Sequence, residues 1–137
     1  MTAYAALFVW SFLAATLLPL ASEPLLIALV RLRGDVVAPV VTATIGNYLG
    51  ACTTYWIARV AVQRFAGADP RPSERRAAAL LTRLGAPALS LSWVPIVGDA
   101  IVVLAGGAGI RFAVFSLWVV AGKLARYAAV AAVAARI

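Results

Sequence analysis

Four stretches without a single charge, Met1 to Ala21, Val36 to Ala58, Leu84 to Gly98 and Phe112 to Gly122, dominate this chain of 137 residues. The last continues apolar through Ala135, interrupted only by Lys123 and Arg126. Runs of this length and character match helices that cross a bilayer or nearly do. With 64% hydrophobic and 12% charged residues, most of the surface is expected to face something other than water. The expectation is an all-α integral membrane protein of one domain.

The other classes fall away quickly. A cleavable secretory leader fits poorly, because no basic residue precedes the first apolar run and the rest of the chain still needs a membrane. The net charge of +7 lacks the aromatic interleaving of a nucleic-acid footprint and is assigned to loops, so no nucleic acid is expected. With no His and a lone Cys52, no transition-metal site, intrachain disulfide or histidine-based triad is available. No cofactor is expected, and no nucleophile and base pair is evident, so catalysis is not expected either.

Punctuation divides the apolar runs. Ala3 to Leu18 reads as a helix broken at Pro19, and Ala21 to Val30 as a shorter piece ending in "RLRGD". At 1.5 Å per residue the shorter piece extends about 15 Å, half of a hydrocarbon core of about 30 Å. A re-entrant hairpin accounts for both, with its turn in "PLASEP", where Pro19 and Pro24 remove backbone donors and Ser22 caps the returning helix. Val36 to Val62 then supplies a full spanning helix. The hydrophilic segment that follows, residues 63–79, is a linker, and a surface helix capped by Ser73 runs to about Arg83.

Beyond the linker the pattern returns. Leu84 to Trp93 is broken at Pro95, Ile96 to Leu104 follows, "AGGAG" is a flexible exit, and Phe112 to Ala135 spans. Laid over one another, the halves place Pro19 on Pro95, Glu23 on Asp99, Gly46 on Gly122 and Asn47 on Lys123. Overall identity between them is at the level an alanine-rich chain gives by chance; the polar positions carry the correspondence. Each half has a proline, an acid four residues later, and a spanning helix with a polar residue at the same distance beyond that acid. Paired Pro-interrupted segments in corresponding halves point to a transporter site. The expected architecture is two inverted repeats, residues 3–62 and 80–137, each a re-entrant helical hairpin plus a transmembrane helix. Arginines are concentrated on the linker side, which sets the linker in the cytoplasm and both termini outside; a first helix that crosses completely reverses the N-terminal assignment.

The chemistry follows from cost. An ionised carboxylate at a helix centre costs about 2.5 to 3.5 kcal/mol on insertion scales, so Glu23 and Asp99 need partners. Lys123 and Arg126 stand three apart on one helical face and can supply them, with Asn47 as a neutral partner and Ser22 and Ser92 as further polar midplane groups. Proton uptake on Glu23 and Asp99 then breaks the pairs and lets the hairpins rearrange around an anion held by Arg126 and Lys123. Simpler roles compete: Glu23 and Asp99 as helix N-terminal charges, Lys123 and Arg126 as snorkelling anchors. Gly46 and Gly50, in "GNYLG", form a GxxxG spacing for close packing, as do Gly98 and Gly122.

The blocks "LLPLASEPLLIAL", "TATIGNYLGACTTYWIAR", "LSWVPIVGDAIVVLAG" and "GKLARYAAVAA" closely resemble the YqaA branch of the bacterial DedA membrane proteins, which carry the VTT or SNARE-associated domain. The resemblance covers nearly the whole chain except the linker. It implies opposed re-entrant hairpins in the bacterial inner membrane and a lipid-translocating function: undecaprenyl-phosphate recycling, or phospholipid flipping or scrambling, dependent on the proton gradient. The family's acid after the first hairpin proline matches Glu23, and its glycine-spaced helix matches Gly46 and Gly50, where many relatives have an acid near Asn47. The second hairpin departs from the commoner pattern: Ser92 and Gly98 stand where arginines flank the proline. Arg126 is our own substitute for those phosphate ligands. A small anion or oxyanion exporter and a non-transporting assembly factor remain alternatives, membrane lipids are the expected partners, and a homodimer is plausible for so short a chain.

Overall fold

The computed structural model describes residues 1–16, 21–64, 72–94 and 97–137, which form helices and contain no strand. Pro19 and Pro95, the two expected hairpin breaks, lie outside the described residues. The helices are α1 (Thr2–Ala14), α2 (Glu23–Arg33), α3 (Val37–Arg64), α4 (Pro72–Leu84), α5 (Val97–Gly107) and α6 (Phe112–Ala134), with a 3-10 helix, Ala86–Trp93, between α4 and α5.

Several boundaries differ from expectation for identifiable reasons. α1 stops at Ala14 and not at Leu18, because the Ala15 and Thr16 amides turn back to the Phe12 and Leu13 carbonyls and the Thr16 hydroxyl also takes Leu13. The surface helix starts at Pro72, one residue ahead of Ser73, where a missing N–H costs nothing. Residues 86–93 wind as a 3-10 helix: Pro87 has no N–H to give, and the Ser90 hydroxyl bonds the Pro87 carbonyl at 2.7 Å. The "AGGAG" exit is mostly helix. α5 runs through Gly107, and the chain turns only at Gly109, whose φ of +70 favours glycine.

α1 packs along α3, and the 3-10 helix packs along α6; α5 then lies on α3, and α2 on α6. Small residues permit these approaches. A Cβ on Gly46 would stand 2.6 Å from the Phe8 carbonyl oxygen, and one on Gly50 would meet the Phe12 carbonyl and, at 2.8 Å, the Ala15 methyl. The same holds for Gly98 against Ser92 and for Gly122 against Ser90. Glycine is therefore needed at these positions for space, in keeping with the packing role read from the GxxxG spacing. The substitution Gly50→Leu forces α1 off α3 and should cost about 1 to 3 kcal/mol or more, read as a lowered midpoint of thermal unfolding in detergent.

Two apolar cores result. Ala51, Tyr55, Ile101, Phe115 and Val119 centre one, and Leu7, Leu26, Val40, Ala43 and Tyr127 centre the other. On α3 the boundary between them falls at Asn47, and on α6 at Lys123. A polar layer thus separates two hydrophobic halves.

Among the described residues α6 alone is both long and apolar enough to cross a bilayer. α3, expected as a second full span, has 28 residues and is about 42 Å long, but Thr, Asn, Tyr and Gly dilute its hydropathy. It meets the length requirement and not the composition.

Candidate functional site

The site grows from the N-terminus of α2. Ser22 stands at the N-cap and Pro24 occupies the first turn, where its fixed φ suits the helix. The Ser22 side chain makes no cap bond, contrary to expectation. Its hydroxyl instead shares a 2.6 Å hydrogen bond with the Tyr127 hydroxyl, both groups being buried. The cap is given up for an anchor between α2 and α6.

That anchor sets the next residue. Glu23 forms an ion pair with Arg126 of α6, at side-chain exposures of 18% and 26%. The guanidinium has a second task. Its Nη1 donates to the Trp93 carbonyl at 2.9 Å, at the end of the 3-10 helix. Arg126 therefore ties α2 and the 3-10 helix to one point on α6. Those are elements from different halves of the sequence. The pair lies in the wall of a mostly apolar groove of about 700 Å³, lined also by Ser90, Trp93, Trp118, Ala125 and Ala129.

Lys123, one turn earlier on α6, makes a separate arrangement. Only 5% exposed, it donates to the Asn47 Oδ1, and the Asn47 Nδ2 donates to the Ser11 carbonyl of α1 at 3.0 Å. These partners are the residues that the overlay of the two halves places on one another. Asp99, half-buried at the start of α5, feels the Lys123 charge but does not come within the 4.0 Å of an ion pair. The expected face-to-face pairing of both acids with both bases is thus corrected: Glu23 has Arg126, while Lys123 is satisfied by an amide. The Asn47 carbonyl is held at the α3–α6 crossing, nearer to Lys123 than the α5 carboxylate comes. Ser92 is buried in the 3-10 helix with its hydroxyl unpartnered.

Residues 18–136 match the model of the VTT domain. The chain belongs to this family. The VTT domain here is 40% identical over 129 residues to the inner membrane protein YqaA of Escherichia coli, covering 92% of this chain and 87% of that protein. It is 39% identical over 133 residues to an uncharacterised protein of Haemophilus influenzae, covering 90% and 82%. No solved structure matches it significantly. This VTT domain is a helical membrane protein, in agreement with the hydropathy of α6.

Sequence reasoning missed three participants in the VTT site. Tyr127 is 1% exposed and faces both Ser22 and Ser11. Its signal was position: it follows Arg126 and lies one turn beyond Lys123, on the buried face. Trp93 contributes a backbone carbonyl, which no side-chain pattern announces. The Trp10 indole donates to the Ala21 carbonyl at 3.0 Å and so ties α1 to the residue preceding Ser22. The variant Tyr127→Phe keeps the ring and orphans the Ser22 hydroxyl; it should lower stability by about 1 to 3 kcal/mol, measured by chemical denaturation in detergent.

Proposed function

We propose that the protein translocates a lipid bearing an anionic phosphate headgroup across the bacterial inner membrane, with protons coupling or gating the movement. The observation that carries this reading is the Glu23–Arg126 ion pair in the wall of an open apolar groove. A guanidinium there is matched to a phosphate, and the groove walls are matched to hydrocarbon. Arg126 needs a carboxylate only while no other anion is present. A headgroup arriving at the groove competes with Glu23 for the same donors, and protonation of Glu23 removes the competitor.

The packing supports two inverted repeats, each a re-entrant hairpin and a spanning helix. α1 relates to α3 as the 3-10 helix relates to α6, and α2 and α5 each lie on the long helix of the other half. Breaking the Arg126 bonds to Glu23 and to Trp93 uncouples the two hairpins, which is the movement that alternating exposure requires. Asp99 and Lys123 serve as the second charged position. The relative's name supports the inner-membrane location, and the arginine excess near α4 supports a cytoplasmic linker.

The test is leaflet exchange of a fluorescent lipid phosphate in vesicles containing the purified protein, with Glu23→Gln and Arg126→Ala each expected to abolish it. Full rates in both variants would remove the charge pair from the mechanism. Movement of a soluble anion without lipid would favour a small-anion exporter on the same framework. Movement of neither, with a defined partner co-purifying, would favour an assembly factor.

A further inference from the structure

The groove that holds Arg126 does not end there. At Ala129 and Val130 it meets a second cavity of about 390 Å³, and the wall of that cavity includes Ile27, Arg31 and Val133. A third, of about 280 Å³, continues past Arg31 to Gly34 and Val36. Together they make one path between α2 and α6. From Glu23 to Arg31 the path follows α2 for about 12 Å. Beyond Arg126 its α6 wall is built of Ala129, Val130, Val133 and Ala134, so no aromatic or charged side chain of α6 interrupts it between the two arginines.

Arg31 differs from Arg126 in one decisive respect. Among the described residues it has no carboxylate within ion-pair distance. The nearest acid in sequence, Asp35, is occupied with the Val37 amide at 3.0 Å. Its neighbour Arg33 is stacked over the Tyr4 ring, 5.0 Å from the centroid, leaving Arg31 as the cation that faces the groove. An unpaired guanidinium beside an apolar slot is complementary to a phosphate whose hydrocarbon chain lies in that slot.

We infer that Arg31 is a second anion station on this groove, holding the headgroup of an anionic lipid at the end of α2 before or after it occupies Arg126. The inference rests on the translocase reading above. Glu23, paired with Arg126, and Arg31 are about 12 Å apart along α2, so a phosphate leaving one cation soon meets the other, which limits the desolvation cost of the passage. The small apolar side chains of that wall give the tail a surface without obstruction.

The experiment uses vesicles of phosphatidylcholine containing a trace of fluorescent phosphatidic acid and the full-length protein, with leaflet exchange read by quenching from outside. Arg31→Gln is expected to slow exchange about fivefold, the worth of one interfacial cation for an anionic lipid. Arg31→Lys should recover most of the rate, and Arg136→Gln, an exposed arginine outside the groove lining, should leave it unchanged. Ala129→Trp, at the junction of the first two cavities, should block exchange while the protein still folds with native helix content. A full rate in Arg31→Gln, with Arg126→Ala inactive, overturns the station and leaves the translocase reading standing. No exchange by the unaltered protein overturns the translocase reading and the station with it. Uptake of inorganic phosphate without lipid movement, lost in Arg31→Gln, reassigns the groove to a soluble anion. If Ala129→Trp instead keeps the full rate and dissociates a dimer, the groove is an interface between copies and the inference fails.

Discussion

Arg126→Ala is expected to reduce leaflet exchange of a phosphate lipid by about two orders of magnitude, because truncating one partner of a hydrogen-bonded charge pair costs about 2 to 5 kcal/mol. The loss has two parts. The groove forfeits the donors that would take the headgroup, and α2 and the 3-10 helix lose the group that joins them through Glu23 and the Trp93 carbonyl. Arg126→Lys separates these parts. A single ammonium can meet the Glu23 carboxylate or the carbonyl but cannot reproduce the planar fork that reaches both. Lysine should therefore restore stability more than rate. If it restores both fully, the bridging geometry is irrelevant to turnover and only the charge matters.

Glu23→Gln gives the complementary result. Glutamine has nearly the same shape and stands for the protonated acid, so the hairpin can still form while the ion pair cannot. Exchange should be lost because the resting pair is never re-formed. The remaining binding of phosphatidic acid should strengthen, since the competing carboxylate has gone. Weaker binding in Glu23→Gln than in the unaltered protein would show that the acid supports the anion site indirectly and does not compete for it.

Much of this arrangement was legible because charge is conspicuous in an apolar chain. Glu23, Asp99, Lys123 and Arg126 stand out as charges within long hydrophobic runs, and each of the two acids follows a proline by four residues. The pairing among those charges was not legible. Lys123 and Arg126 are equivalent by helical spacing, and only the packing of α2 and of the 3-10 helix against α6 gives Glu23 to Arg126 and leaves Asn47 to Lys123. Glycines misled in one direction. In "AGGAG" they suggested a flexible exit, yet Gly106 is buried in α5 against the Tyr55 backbone, where any side chain would collide. In a helix bundle a small residue more often marks the closest approach of two backbones than a loose segment. Backbone acceptors such as the Trp93 carbonyl leave no mark on a sequence, and neither does a groove between two helices.

Lys123→Met is expected to destabilise the protein by about 2 to 3 kcal/mol, although methionine is the more favourable side chain to bury. The reason lies in what stays behind. The Asn47 Oδ1 loses its donor between the two apolar cores, and Asp99 keeps a carboxylate whose nearby compensating cation has been removed. Asp99→Asn alone should also cost stability, because Lys123 then keeps its charge with only an amide for company. The double variant Lys123→Met with Asp99→Asn removes both charges together and should be more stable than the sum of the single effects by about 1 kcal/mol or more, measured as a double-mutant cycle on unfolding in detergent. Additive effects would mean that the Asp99 and Lys123 charges do not interact, and Asp99 would then have to be neutralised in some other way. A coupled result with exchange intact would make this pair a structural element of the bundle; a coupled result with exchange lost would place it, alongside Glu23 and Arg126, among the charges that the transport cycle rearranges.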